Sequence, residues 1–561
     1  MSKESTNFLE LFKEKKYLTI ISLIENKIPE NQRTPGLLNL LGVCKIIQGD
    51  DSIKSLNDCI NLFRKSYLEE KNKLNSVQQL RNFINAVTTL FDKTFEENEN
   101  QFDQKLFDEV FLYFNQNENL FNKDSSLLSA LIKVYRRNLD LKNYVKYSEK
   151  IIKNSPDPAS IAAYIYYNNY IYDWDQLNYF DNTKMLNDKL PLYPLNELVP
   201  LKSERENKIS IAFISSDIRG RHSITFFLRS VINEYNRDDF KIYLYHNHSV
   251  KDYTTQEFEK FVFKSTFILN LTDIEVINLI RKDKIDIIID LNGFSSNHRL
   301  ALFKNRLAPT QISWCGYTGT LGIKEMDYLF VDKNLIYQNE ESLYSEKVVY
   351  LPNIWNCHSG CEIKRTKNQM PFIKNNYITF CSFNNFMKIN DDVIEVWSSI
   401  LKQIENSKLI LKSNLAINKN KIKEKFEKYG ILNSIEFLPF ISSTDDHLNA
   451  YKEADIALDT FPWNGVTTSF EAMWMGVPII TMKGFNFNSR CGESINKNIN
   501  LENLIAKNKE EYVDKAISLA KNIETLQKIR DHIYENLTNS PLFNKKDFSK
   551  EFFLTIKNIY N

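Results

Sequence analysis

Glycine and proline are scarce in this sequence, with 14 of each in 561 residues, and no long Ser- or Gly-rich stretch occurs. Flexible linkers of that composition are therefore excluded, and we predict domains that abut through ordered connections. The length exceeds what one hydrophobic core usually serves, so two or three domains are expected. The 72 Lys and Arg residues nearly cancel the 71 Asp and Glu residues. That balance argues against the global basic field of a nucleic-acid or membrane binder.

Long apolar segments are also missing. The first seven residues lack the apolar core of a signal peptide. The longest apolar stretches, such as residues 285–291, contain Asp and are too short to span a bilayer. Seven Cys residues, an odd number spread over the chain, are typical of free thiols in a reducing compartment. The sequence therefore predicts a soluble, cytoplasmic protein.

The first 200 residues have apolar residues at helical spacing. Runs at 37–44, 55–67 and 77–91 each predict a helix, and the first contains a Leu-Gly pair. Paired helices with a small residue at a packing position resemble tetratricopeptide repeats. The terminating Pro of such a unit is clear only at Pro156 and Pro158, so a generic helical bundle is the alternative. Either arrangement stacks helix pairs and leaves a concave surface.

From Lys208 onward, strand-like runs alternate with helical stretches. The run at 285–291 is β-branched and nearly all apolar, as expected for a parallel strand buried on both faces. A second set of runs begins near Tyr377. This alternation predicts two doubly wound α/β lobes that bind ligands at the carboxyl ends of their strands, in the cleft between the lobes. The strand-like runs cover residues 208–214, 240–245, 285–291, 378–381, 409–411, 435–438, 456–458 and 478–481.

The most informative stretch is residues 458–478, where a strand ends, a loop follows and a helix starts near Thr467. The hydroxyls of Thr467 and Thr468, with the free N–H groups of a helix N-terminus, form an anion site. A simple N-cap is the alternative, but it accounts neither for Gly465 nor for Glu471. Glu471 lies on the same helical face as Thr467. Its carboxylate can accept both ribose hydroxyls of a nucleotide while the helix end holds the pyrophosphate.

This segment resembles the donor-binding segment of the O-GlcNAc transferase and SPINDLY family. Other segments match the same family in the same order, and together they cover roughly residues 208–560. They are residues 307–320, 326–328, 344–347, 383–389 and 540–544.

The resemblance implies an α/β fold of the GT-B type, in which two Rossmann-like lobes follow a TPR-like helical repeat region. The implied domains are the repeat region at 1–200, the N-terminal lobe at 205–370, the nucleotide-sugar-binding lobe at 371–545, and a C-terminal helix at 546–561 that packs back on the lobes. The implied reaction moves a sugar from a nucleotide-sugar donor to Ser or Thr hydroxyls of protein acceptors, with inversion and without metal. The repeat region is expected to hold the protein acceptor.

The resemblance also implies roles for single residues. Lys388 contacts the donor phosphates, where a positioned ammonium stabilises the charge that builds on the leaving diphosphate. Thr467 and Thr468 hold the phosphates, with Gly465 beside them. Asn385 stands where O-GlcNAc transferases carry Gln and belongs to the donor site.

Two histidines complete the implied site. His447 stacks on the nucleotide base. His222 follows the first strand of the first lobe, near the acceptor, where an imidazole can take or orient the proton of the acceptor hydroxyl. A structural role for His222 is the equal alternative.

Metal use is not expected. Residues 357–361 contain two Cys and one His but lack the second pair of ligands that zinc needs. Asp173-Trp174-Asp175 resembles the Asp-x-Asp of metal-dependent GT-A enzymes, yet it lies in the helical region, where a helix start or turn is the simpler interpretation. GT-B enzymes use helix dipoles and basic side chains instead.

The donor is the least determined feature. Asn385, Thr444 and Glu471 depart from the O-GlcNAc transferases and favour the SPINDLY branch, whose donor is GDP-fucose. We favour UDP-GlcNAc as the default donor of the family and keep GDP-fucose as the alternative. Two further alternatives are a GT-B enzyme of glycan assembly and a repeat scaffold with inactive lobes. Retention of Lys388 and the paired Thr residues argues against the scaffold.

Overall fold

A computed structural model gives the architecture. The chain forms two compact units, Met1–Pro156 with Ser413–Lys421 and Asp157–Lys412 with Ile422–Asn561. Among the helices in the described part, none is long and apolar enough to cross a membrane. The motif Asp173-Trp174-Asp175 lies outside the described residues. These are 7–49, 52–71, 73–96, 102–171, 176–202, 206–361, 363–412, 416–439, 441 and 443–561.

The first unit is built from helices, as the sequence predicts. Its helices α3 and α4 pack closely at Gly42, where a Cβ atom would lie 2.7 Å from the Cε1 atom of Phe63. Thr34 caps α3 at its start, and Gly49 ends the helix in the left-handed conformation. The helices are α1 (Phe8–Lys13), α2 (Tyr17–Lys27), α3 (Pro35–Gln48), α4 (Ile53–Glu69), α5 (Lys73–Glu96), α6 (Lys105–Gln116), α7 (Glu118–Lys123), α8 (Ser125–Arg137) and α9 (Leu141–Asn154).

The second unit opens with two more helices, α10 (Pro158–Asn168) and α11 (Gln176–Lys189), and continues into the first α/β lobe. The lobe has a seven-stranded parallel sheet in the order β3-β2-β1-β4-β5-β6-β7. Every residue of β1 is buried, which explains its apolar run. The elements are β1 (Ile209–Ser215), α12 (Ser223–Ile232), β2 (Phe240–His246), α13 (Tyr253–Glu259), β3 (Lys264–Phe267), α14 (Asp273–Lys282), β4 (Ile287–Asp290), α15 (Leu300–Lys304), β5 (Thr310–Ser313), β6 (Tyr328–Val331) and β7 (Lys347–Tyr350).

The second lobe has a six-stranded parallel sheet in the order β10-β9-β8-β11-β12-β13. The strand order reverses between β8 and β11, so the loops that follow these two strands border the crevice where such sheets bind ligands. The elements are α16 (Pro371–Asn375), β8 (Thr379–Ser382), α17 (Asp391–Gln403), β9 (Lys408–Lys412), α18 (Ala416–Glu427), β10 (Ile435–Leu438), α19 (Thr444–Asn449), β11 (Ile456–Leu458), α20 (Thr467–Trp474), β12 (Ile479–Met482), α21 (Cys491–Lys497), β13 (Ile505–Ala506), α22 (Lys509–Lys521) and α23 (Ile523–Asn536).

Polar and aromatic contacts join the two lobes. Arg490 forms an ion pair with Glu340, and its guanidinium lies 4.0 Å from the ring centroid of Tyr337. His358 stacks both on Phe226 of α12, at 4.6 Å between ring centroids, and on Phe470 of α20 in the second lobe, at 5.8 Å, and burial lowers the pKa of His358 to about 3. His358 is therefore a neutral part of the apolar contact between the lobes.

The last helix, α24 (Lys545–Tyr560), lies against the first lobe. Its Phe552 packs on Trp314 with 4.8 Å between ring centroids, and Ser549 donates a 3.4 Å hydrogen bond to the carbonyl of Val231. The apolar face of the final helix is therefore buried against the first lobe.

Candidate donor and transfer site

Lys388 lies in a single helical turn, Phe386–Lys388, that follows β8. The side chain of Asn385 caps this turn by accepting a 3.0 Å hydrogen bond from the N–H of Met387, and the rest of Asn385 is exposed. The ammonium of Lys388 donates a 2.7 Å hydrogen bond to the carbonyl of Asn464 and lies 5.4 Å from the ring centroid of Trp463. Lys388 is thereby fixed to the loop that follows β11.

The surroundings of Lys388 weaken its hold on a proton. Burial lowers the pKa of Lys388 to about 8, although the carboxylate of Asp459 acts in the opposite direction. Burial also raises the pKa of Asp459, to about 6. The ammonium is therefore largely charged at neutral pH but poorly solvated, so an incoming phosphate anion would interact with it strongly.

Asp459 organises the loop between β11 and α20. Its buried carboxylate accepts hydrogen bonds from the N–H of Gly465 at 2.7 Å, the N–H of Thr460 at 2.9 Å and the hydroxyl of Thr481 at 2.8 Å. A Cβ atom at Gly465 would lie 2.7 Å from the hydroxyl oxygen of Thr468. A side chain at this position would have to displace the side chains of Thr468, Ser469 and Asn384. The sequence predicted Gly465 in the site but treated Asp459 merely as the end of a strand.

The helix α20 begins at Thr467, as the sequence predicts. Val466 occupies the N-cap position, and within the described residues no side chain caps the first turn. The hydroxyl of Thr468 instead donates a 3.0 Å hydrogen bond to the amide oxygen of Asn384. The first N–H groups of the helix, together with its dipole, remain available for an anion.

A chain of polar contacts runs along the same lobe. Glu471, one turn into α20, lies 3.1 Å from Nε2 of His447, and Nδ1 of His447 lies 2.6 Å from the ammonium of Lys412. An ammonium can only donate, so Nδ1 accepts, and a neutral ring carries its proton on Nε2, towards Glu471. Burial lowers the pKa of Lys412, and Glu471 opposes that effect. Lys412 was not predicted from the sequence, although a Lys at the carboxyl end of a parallel strand is a signal that could have found it.

His222 lies in the first lobe, at the N-cap of α12. Its Nδ1 accepts a long hydrogen bond, 3.5 Å, from the N–H of Ile224, and its Nε2 lies 3.8 Å from a carboxylate oxygen of Asp217. Loss of solvation lowers the pKa of His222, while Asp217 raises it and Arg219 lowers it further. His222 therefore caps α12, and its exposed ring leaves Nε2 accessible to a substrate.

The structure links the His222 helix to the helix of the paired Thr residues. Phe227 of α12 packs edge-on against Phe470 of α20, with 5.4 Å between ring centroids. The second lobe contains four of the predicted residues, namely Lys388, Thr468, Glu471 and His447. His222 lies at the start of α12, a helix of the first lobe that contacts the second lobe. The predicted residues therefore lie in both lobes, on either side of this packing contact.

The end of α10 contacts the loop that follows β11 as well as the first lobe. The ring centroids of Tyr166 and Tyr170 lie 5.0 and 4.7 Å from that of Trp463. The buried amide of Asn169 donates a 2.9 Å hydrogen bond to the hydroxyl of Tyr317 in the first lobe. The sequence places these residues in the repeat region at 1–200, where they signal only a helix.

Among the residues that the structure describes, no group of three or more His, Cys, Asp or Glu side chains could hold a metal ion.

Comparison with known families agrees with this geometry. The family model described as Glycosyl transferase family 41 matches residues 196–363 and 357–552. A probable UDP-N-acetylglucosamine–peptide N-acetylglucosaminyltransferase SPINDLY from Solanum lycopersicum is 32% identical over 380 residues, which cover 66% of this chain and 40% of the relative. The corresponding SEC protein from Arabidopsis thaliana is 27% identical over 385 residues, or 65% of this chain and 39% of the relative. The chain thus spans about two fifths of these relatives.

A solved structure matches almost the whole chain. An O-GlcNAc transferase mutant from Thermobaculum terrenum superposes with a TM-score of 0.74 and 22% identity over 98% of both chains. At 22% identity, the match supports only the assignment of the fold. It confirms the predicted GT-B arrangement of two lobes preceded by a helical region.

Proposed function

The chain belongs to glycosyl transferase family 41, and we propose that it transfers a hexose from a nucleotide-sugar donor to Ser or Thr hydroxyls of protein acceptors. One observation carries the proposal. The ammonium of Lys388 is fixed to the carbonyl of Asn464, three residues before the uncapped N-terminus of α20, so two positive groups from different loops lie near each other. That pair is suited to the diphosphate of a nucleotide sugar.

The proposed step is a single displacement with inversion. The acceptor hydroxyl oxygen forms a bond to the anomeric carbon, and the bond from that carbon to the diphosphate oxygen breaks. The electron pair leaves with the diphosphate, whose growing charge is met by Lys388 and by the N–H groups at Thr467. Because these contacts strengthen as the bond breaks, they lower the barrier rather than merely hold the donor.

The acceptor proton needs a partner in the first lobe, and we assign this role to His222. In its capped state the ring uses Nδ1 to accept from Ile224, which leaves the proton of the neutral form on Nε2. In that state Nε2–H donates to the acceptor oxygen and orients it. The long cap hydrogen bond is weak. When it opens, exchange with solvent at the exposed ring moves the proton from Nε2 to Nδ1, and Nε2 then takes the hydroxyl proton.

The nucleoside half of the donor is assigned to the chain of Lys412, His447 and Glu471. Glu471 accepts the ribose hydroxyls, and His447 offers a ring face to the base. Asn385, exposed at the rim, contacts the donor from the opposite loop. UDP-GlcNAc is the proposed donor, as in the names of the SPINDLY and SEC relatives. GDP-fucose is the alternative, because Asn385 and Glu471 depart from the O-GlcNAc transferase pattern.

Two further points belong to the proposal. Transfer requires no metal, because Lys388 and the dipole of α20 supply the charge compensation. The helices of the first unit bind the protein acceptor, as stacked helix pairs commonly do.

Nucleotide-induced stabilisation tests the donor site directly. Purified protein is heated with UDP, GDP, UDP-GlcNAc or GDP-fucose, each with and without EDTA. A ligand at about 100 times its Kd stabilises the folded state by about 2.7 kcal/mol, a readily measured shift in Tm. We expect a shift that survives EDTA and that is lost in Thr467→Pro/Thr468→Val but retained in Thr444→Val. Absence of any shift, or one abolished by EDTA, would reject the proposed donor site.

A further inference from the structure

A pocket of about 450 Å³ lies in the second lobe beside the proposed transfer site. Its walls come from the loops that follow β11, β12 and β13. Since these strands are parallel, the pocket opens at the same edge of the sheet as the phosphate site. Its lining includes Phe461, Pro462, Met482, Lys483, Phe485 and Lys507.

Two lysines lie side by side in this pocket. The register of β12 and β13 pairs Met482 with Ala506, and the next residue on each strand is a lysine, Lys483 or Lys507. The N–H of Lys483 donates a 3.0 Å hydrogen bond to the carbonyl of Ala506, which keeps the two strand ends together. Adjacent strands lie about 4.8 Å apart. Like charges at directly opposed positions of neighbouring strands repel each other, and an anion bound by both side chains would relieve the repulsion.

The described neighbours do not supply that anion. Glu511 is near Lys507 but accepts a 3.1 Å hydrogen bond from the backbone N–H of Lys507, and its carboxylate pairs with Lys515 at 3.2 Å. Among the described residues, no carboxylate lies within ion-pair distance of the ammonium of either Lys483 or Lys507. The carboxylate of Glu511 acts on Lys507 without touching its ammonium, and in the described chain neither ammonium is in direct contact with a counter-charge.

The rest of the pocket is apolar and close to the transfer site. Its walls are apolar side chains, which offer a small inorganic anion no favourable contact. They are Phe461, Pro462, Met482 and Phe485. The chain continues from Pro462 directly into Trp463, whose ring lies 5.4 Å from the ammonium of Lys388. A single short acceptor peptide could therefore fill the pocket and still place a hydroxyl at the reacting atoms.

We infer that this pocket is an acceptor subsite, which takes an anionic side chain together with a neighbouring apolar residue of the protein being modified. The inference rests on the proposed function, because it presumes a protein acceptor. The anion is a carboxylate or a phosphate, which present the same chemistry to two ammonium groups. The site would direct transfer towards Ser and Thr residues in acidic sequence contexts.

A peptide library tests this specificity. Peptides with one Ser and a single Glu, phosphoserine, Gln or Lys at varied distances from it are incubated with UDP-GlcNAc, GDP-fucose and the protein. The wild type is expected to favour Glu or phosphoserine over Gln by about five- to twentyfold in kcat/KM, chiefly through KM, as two partly exposed ion pairs allow. In Lys483→Gln/Lys507→Gln the preference is expected to fall to within about twofold, and the Glu and phosphoserine arms identify the preferred anion.

Two controls separate this site from the rest of the protein. Lys528→Gln removes one charge from an exposed position of α23 in the same lobe and should leave the preference unchanged. Release of nucleotide diphosphate in the absence of peptide should be equal in the wild type and the double variant. Equal release excludes misfolding and damage to the donor site.

Direct binding supplies a second readout. A fluorescently labelled Glu peptide is titrated against protein saturated with UDP, and the double variant should bind it about five- to twentyfold more weakly. Transfer to peptides with no preference for Glu or phosphoserine, or a preference retained in the double variant, overturns the subsite and leaves the proposed function intact. If no peptide is modified, the titration decides. Equal binding by both proteins, or displacement by free phosphate as effective as by Glu peptide, overturns the subsite.

Discussion

Lys388 donates a 2.7 Å hydrogen bond from its ammonium to the main-chain carbonyl of Asn464. This contact joins the loop that follows β8 to the loop that follows β11, at the reversal of the strand order. The cation therefore has a fixed position before any donor binds, so little of the binding energy is needed to order it. The predictions below depend on that fixed charge and on the groups around it.

Removal of the Lys388 ammonium should slow turnover more than it weakens donor binding. Lys388→Ala is expected to lower kcat by about 10²–10³, because one contact made mainly in the transition state has been removed. Nucleotide Kd should change much less. Steady-state kinetics and titration with the nucleotide diphosphate measure the two effects, with Lys528→Ala as the exposed control. A correctly folded Lys388→Ala variant with wild-type kcat would contradict the assignment.

The pH profile should report the same ammonium. The pKa of Lys388 is lowered to about 8, so its charge is present below that pH and is lost as the pH rises through it. The kcat/KM of the free enzyme is expected to fall about tenfold per pH unit above that value. Lys388→Arg keeps its charge and should be slower but flat over this range. An alkaline decline of the same midpoint in Lys388→Arg would assign it to another group.

The fold was largely predictable from the sequence because buried parallel strands are marked by continuous β-branched and apolar runs. The start of α20 and the position of Gly465 were predictable for a similar reason, since a loop and a helix N-terminus have local signatures. The four-residue strands β3, β5, β6 and β7 and the two-residue β13 were missed. β3 and β5 consist mainly of polar residues, so they lack the apolar run that marks the predicted strands of the same length.

Other parts of the site depend on contacts between distant residues. Asp459 organises the donor loop through Thr481, 22 positions away, and no local pattern contains that pairing. The packing of Tyr166 and Tyr170 against Trp463 joins positions separated by almost 300 residues, so these tyrosines signalled only a helix in the sequence. Lys412 has no motif around it, and its contact with His447 exists only once the sheet has formed.

Mutation can separate the two roles of His222, as the cap of α12 and as the group that handles the acceptor proton. His222→Asn keeps a strong N-cap for α12, whereas His222→Ala removes it. If the imidazole orients or takes the acceptor proton, both variants should lose about 10²–10⁴ in kcat while the Asn variant keeps wild-type stability. Thermal unfolding and initial rates of transfer measure the two properties. Restoration of activity by Asn would show that only the cap matters.

The linked polar side chains of Lys412, His447 and Glu471 should determine the affinity for nucleotide. Glu471→Gln replaces the carboxylate that faces His447 and is expected to raise the Kd for nucleotide about tenfold, as the loss of a charge-assisted hydrogen bond implies. The turnover of bound donor should change less. Calorimetric titration checks the affinity, and Asp446→Asn, an exposed neighbour of His447, is the matched control. Equal affinity in wild type and Glu471→Gln would remove Glu471 from the donor site.

The most direct test of the central claim is hexose transfer itself. The purified chain is incubated with UDP-GlcNAc, or separately with GDP-fucose, in EDTA with a library of Ser- and Thr-containing peptides, and the products are analysed by mass spectrometry. Our account predicts peptides that carry one sugar on a hydroxyl, release of an equal amount of nucleotide diphosphate, and loss of both in Lys388→Ala. Preferential transfer from GDP-fucose would reverse the choice of donor alone. Absence of transfer from either donor by protein that binds the nucleotide diphosphate, or transfer that requires a metal, would contradict the account.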